Sequence, residues 1–119
     1  MRVIQHTVPV RDVSQRYTVD ATEPVPGLLV YEIPDVAHCS GLGHDHWRVA
    51  HHSGLLIAAC QDEHDAEFIA QTIADFTDWT RSADELRADT SLDITDLYER
   101  ITYETPGIFV SSKDPQAAA

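Results

Sequence analysis

Six of the seven histidines, His38, His44, His46, His51, His52 and His64, fall within 27 residues that also hold both cysteines, Cys39 and Cys60. Imidazole nitrogen and thiolate sulfur are the donors that zinc prefers. His44 and His46 stand two apart near the start of a strand, so both point the same way and could share a metal. His51 and Cys39 complete the candidate set, with His38 and Cys60 as further donors. The spacing is not that of a zinc motif, for the chain has no Cys-x2-Cys, no His-x3-His and no His-Glu-x2-His. A small metal-binding protein or metalloenzyme built on the histidine cluster 38–64, with zinc as its ion, is therefore the alternative reading.

A second chemistry to weigh is nucleophilic. Cys39 precedes Ser40-Gly41-Leu42-Gly43, and His44 or His46 could act as its base. The glycine turn leads into a hairpin and not a helix, so it lacks the row of amides that holds an anion. Asp75 and Asp78 sit at helical spacing, which an ordinary solvated helix explains as well. Trp47 and Trp79 each end an apolar stripe and read as packing. The expectation is a protein that is not an enzyme.

Charge says more. Residues 62–104 carry thirteen acids against Arg81, Arg87 and Arg100, a net of −10 out of −12 for the 119-residue chain. A surface of that sign repels phosphates, so neither direct nucleic-acid binding nor an anionic membrane is expected. A basic protein partner is the class it fits, with Asp75, Asp78, Asp84, Glu85 and Asp89 as the candidate binding face. In its strong form, such a face mimics the charge of a nucleic acid. One lysine against seven arginines suits a high-GC genome or a salt-adapted organism.

The elements that position these residues follow from pattern. Arg2 to Val10 alternates as a strand with Pro9 at a sheet edge, and Arg16 to Val19 is a second strand. Ala21 to Gly27, with two prolines and a glycine, reads as a loop. Leu28 to Ile33 is a strand. Residues 46–60 form a hairpin around His52-Ser53-Gly54, in a register that pairs His51 with Leu55 and Val49 with Ile57. That register puts Trp47, Val49, Leu55 and Ile57 on one face, and His46, Arg48, Ala50, Leu56, Ala58 and Cys60 on the other. Asp62 caps a helix whose stripe is Ala66, Ile69, Ala70, Ile73 and Phe76. Ser82-Ala83-Asp84-Glu85 is a capping box for a short second helix. A third helix runs from about Leu92 to Tyr103, and Ile108-Phe109-Val110 returns as an edge strand.

Strands first and helices after predict an α+β fold: a small antiparallel sheet with two to three helices on one face. A single domain over 1–110 and a flexible tail over 111–119 are expected. The first residues lack the apolar stretch of a signal peptide, and two cysteines make no disulfide framework, so a cytoplasmic protein with free thiols is expected.

The run Trp47-Arg48-Val49-Ala50-His51-His52-Ser53-Gly54-Leu55, followed by a helix that closes on Asp78-Trp79, resembles a pattern in small uncharacterised proteins of actinobacteria and their phages. The resemblance covers residues 46–80 and carries no catalytic residue. It implies an actinobacterial or phage origin, and the interaction reading then takes the form of a phage-encoded protein that binds a host protein. A homodimer through an exposed strand edge is compatible with either reading.

Overall fold

The computed structural model describes residues 3–9, 16–33 and 46–110. They form one six-stranded antiparallel sheet with strands in chain order and three helices between the fifth and sixth. The strands are β1 (Val3–Pro9), β2 (Arg16–Val25), β3 (Leu28–Glu32), β4 (Trp47–His51), β5 (Leu56–Cys60) and β6 (Ile108–Phe109). The helices are α1 (Glu63–Thr72), α2 (Ala83–Ala88) and α3 (Ile94–Glu104). This is the expected α+β architecture, and none of the described helices is long and apolar enough to cross a membrane.

The helix starts follow from their caps. The Asp62 carboxylate accepts the Asp65 amide at 2.8 Å, and Asp93 does the same for Asp96 at 3.2 Å. Ser82 and Glu85 form the full reciprocal box. Each satisfies an amide that the helix leaves open. The α1 stripe is longer than its helix. Regular structure ends at Thr72, and Ile73 to Phe76 continue as tight turns that keep Ile73 in the core. The Ile73 carbonyl accepts the Phe76 amide at 3.0 Å and the Trp79 indole N–H at 2.8 Å, which folds the chain back over the helix end.

Two bulges change what the pattern predicted. β2 continues to Val25, through the segment expected to be a loop, because the register shifts between Thr22 and Val25. Pro24 sits in that irregularity, where a missing amide breaks no ladder bond. In the hairpin, the His51 amide does bond to the Leu55 carbonyl at 2.8 Å, as expected near the turn. Beyond it Ala50 pairs with Leu56 but Val49 pairs with Ala58, leaving Ile57 as the extra residue. One inserted residue reverses the faces of everything after it. Ala58 and Cys60 therefore join Val49, Val30 and Leu28 on the helix side, not the opposite one.

The main core lies between that side and the helices. Ala58 and Cys60 are small and fully buried beneath Ala66, Ile69 and Ala70 of α1, so helix and sheet approach closely. Leu97 and Ile101 bring in α3. Cys60 packs inside this core as a small apolar side chain. The opposite face of the sheet is apolar too, with Val19, Ala21, Leu29, Tyr31, Ile33 and Ala50 buried. Arg48 is fully buried opposite Tyr31 on the neighbouring strand.

Candidate functional site

Three turns meet at one end of the sheet. Pro26-Gly27 joins β2 to β3, and Gly27 takes a φ of +90°, which glycine adopts freely. The Gly27 carbonyl accepts the amide of His52 at 2.9 Å, and its amide donates to the Glu23 carboxylate at 2.9 Å. His52 belongs to the β4–β5 turn. The third segment is the loop Trp79 to Ser82, whose backbone lies so close to Gly27 that a Cβ there would stand 2.1 Å from the Trp79 carbonyl oxygen.

Both histidines of the turn converge on that loop. His51 Nε2 lies 2.8 Å and His52 Nε2 2.9 Å from the carbonyl oxygen of Arg81. A carbonyl only accepts, so both Nε2 atoms carry hydrogen. His51 Nδ1 is then left as an acceptor. It takes the Ser53 hydroxyl at 2.7 Å and the Ser53 amide at 3.2 Å. The ring is buried, and this desolvation lowers its pKa below the ordinary 6.5, although the bond to Arg81 opposes the shift.

Serine, histidine and an orienting carbonyl together suggest a nucleophile and its base. The donors an acyl-transfer site needs are already used. The Ser53 amide serves His51, the Gly54 amide bonds the His51 carbonyl, and the Leu55 amide faces Ser53 Oγ at 3.4 Å. No amide of this turn remains to hold an oxyanion. The arrangement is a lock between the hairpin and the loop.

Beside the lock runs an open groove of about 680 Å³. Ile57 and Trp79 contribute to its floor, Leu86 of α2 and Ile94 of α3 line it, and Phe109 of β6 lies along it. Its polar contributors are His51, Arg87 and Asp89. The apolar surface continues past its lip, since Ile94 and Tyr98 of α3 are 54% and 44% exposed and Tyr98 meets Phe109 edge-on.

The five carboxylates of the expected acidic face are each engaged within the chain. Asp75 pairs with Arg100 at 2.7 Å, Asp84 with Arg87 at 3.3 Å and Asp89 with Arg81 at 2.8 Å. Asp78 accepts the Thr80 amide at 3.0 Å, and Glu85 closes the capping box. Hydrogen bonds from the Ser91 hydroxyl and from Arg81 hold Asp89 down at about 2. Glu63, Asp65 and Glu67 of α1 and Glu99 and Glu104 of α3 have no cationic partner among the described residues.

Of the candidate metal ligands, Cys39 and His44 lie outside the described residues, as does His38. Alternation along β4 places His51 on the helix side of the sheet and His46 on the other, so the structure does not bring these two together. Among the described residues no three metal-ligating side chains gather in one place. Trp79 packs in the core and Trp47 packs against it, as expected. What the sequence did not indicate was the His51–Arg81 contact and the groove, because both join segments far apart in the chain. No protein-family model matches the chain, and no curated protein or solved structure is similar to it.

Proposed function

We propose that the chain is a non-enzymatic interaction protein whose acidic helical half engages a basic protein partner. The observation that carries this reading is the fate of its cations. Arg81, Arg87 and Arg100 are the only bases of residues 62–104, and all three are taken up in ion pairs within the chain. Glu63, Asp65, Glu67, Glu99 and Glu104 are left without a cation among the described residues, and a net of −10 over residues 62–104 draws a positively charged surface toward it. The Ser53–His51 pair supports no competing chemistry, since its turn has no amide left to stabilise a developing charge.

Salt dependence tests the reading. With a basic partner recovered on the immobilised chain and then purified, affinity measured by calorimetry should fall steeply as sodium chloride is raised. If the partner normally binds nucleic acid and the chain acts as a charge mimic, DNA should compete for the same site. Binding that is indifferent to salt would overturn the proposal.

A further inference from the structure

The groove between the hairpin, α2, α3 and β6 has an occupant that its surroundings select. We infer that it receives apolar anchors from a basic, amphipathic segment of the protein partner; this inference rests on the acidic-module reading above. Three observations converge. The groove is lined mainly by aliphatic and aromatic side chains and is large enough, at about 680 Å³, to take more than one of them. Its apolar surface spills outward onto Ile94 and Tyr98 of α3, both about half exposed, whereas isolated exposed apolar residues would need no explanation. And the segment from Trp79 to Glu104, which supplies most of its lining, carries seven acids against Arg81, Arg87 and Arg100, a net of −4.

Charge chooses between occupants. A second copy of this chain would bring two strongly acidic halves face to face, which like-charge repulsion opposes. A segment whose apolar side fills the groove while its lysines or arginines meet the surrounding carboxylates satisfies both features at once. Apolar anchors in a desolvated pocket supply affinity, and the charged surroundings supply encounter rate and selection.

The experiment uses the full chain and two labelled peptides of equal charge, one alternating leucine with lysine and one with serine in place of leucine. Binding is followed by fluorescence anisotropy and by the NMR resonance of the Trp79 indole, which lines the groove. The leucine peptide should bind and shift that resonance. Ile94→Ser should weaken it roughly tenfold, as loss of an anchor contact does. Ile94 is half exposed at the first position of α3, so serine there leaves the fold intact, which a thermal melt verifies. Tyr103→Ser, at a residue 76% exposed and outside the groove, should change nothing. If both peptides bind alike and Ile94→Ser affects neither, the groove inference is overturned while the acidic-module reading stands. If neither peptide binds, both fall.

Discussion

His51 Nε2 donates to the carbonyl oxygen of Arg81, 2.8 Å away and thirty residues further along the chain. The bond ties the β4–β5 turn to the loop that leads into α2, and so fixes one wall of the groove against its floor. His52 adds a second bond to the same oxygen, and the two rings lie 4.0 Å apart. Arg81 extends the tie in the other direction, since its guanidinium holds Asp89 at the end of α2. The hairpin, the loop and the short helix are thus one connected unit, although α2 has no fully buried residue of its own.

That unit should loosen in acid. Burial holds the His51 pKa below 6.5 in the folded chain, so the unfolded chain takes up this proton first. The associated stability is fully present above pH 6.5 and is lost as the pH falls from there toward the folded pKa. Protonated Nδ1 also ceases to accept from Ser53. Urea unfolding between pH 8 and pH 5 should show this decline, and His51→Gln should reduce its slope. At neutral pH the same substitution should cost about 1–3 kcal/mol through hydrogen bonds lost in a buried place. A slope identical in both proteins would mean that His51 does not titrate across the transition.

Gly27 should be the least replaceable glycine among the described residues. Alanine there meets a positive φ and places its Cβ against the Trp79 backbone, which cannot move without opening the turn junction. The expected cost is roughly 2–4 kcal/mol, combining backbone strain with overpacking. Gly107 provides the comparison. Its added Cβ would lie 2.4 Å from Ile69 Cδ1, the end of a side chain that can shift, and its backbone is not in the left-handed region. Gly107→Ala should therefore cost less, about 1 kcal/mol. Chemical denaturation of the two variants under one set of conditions decides the order.

How far these features could be read beforehand depended on their range along the chain. Asp62, the Ser82–Glu85 box and the turn-proximal pairing of His51 with Leu55 were legible, because each is settled within three or four residues. The face of Ala58 and Cys60 was not. It turns on whether Ile57 is inserted into β5, and what that insertion accomplishes is to set small residues beneath α1, a matter of tertiary packing. Pro24 misled for a related reason, since a proline forbids a regular ladder but not a bulge. The carboxylates were visible as charge, yet their division into paired and unpaired sets needed the arginines placed in space. The groove had no local signature at all, for its floor and walls come from residues 51–57, 79–97 and 109–110.

On the other face of the sheet, Tyr31 should resist ionisation while the chain is folded. Burial pushes its phenol up to about 12 from 10.0, against a smaller opposing pull from Arg48. The unfolded chain releases this proton earlier, so stability is intact below pH 10.0 and declines as the pH rises from there toward 12. Phenolate absorbance should therefore show Tyr31 ionising only as the chain unfolds. Tyr31→Phe should remove its share of the alkaline loss. Ionisation of Tyr31 near pH 10.0, in a chain still folded, would refute this.

The paired and unpaired carboxylates should separate stability from binding. Asp89 is held at about 2 by Ser91 and Arg81, against 3.8 ordinarily, so its contribution is present at neutral pH and is lost as the pH falls from 3.8 through about 2. Asp89→Asn should lower the melting temperature at neutral pH and narrow the gap to wild type in acid. Glu63, Asp65 and Glu67 carry no such obligation, having no cationic partner among the described residues. Changing all three to Gln, Asn and Gln removes three charges from the first two turns of α1 while Asp62 keeps the cap. These acids do favour the helix dipole, so a cost up to about 1 kcal/mol is expected. Association with the basic partner should slow by on the order of tenfold at low salt, and the difference should vanish at high salt. The discriminating measurement is the association rate of each variant beside its melting temperature. Slow association by Asp89→Asn alone, with the triple variant unchanged, would place the binding face at the end of α2 and not on the unpaired carboxylates of α1.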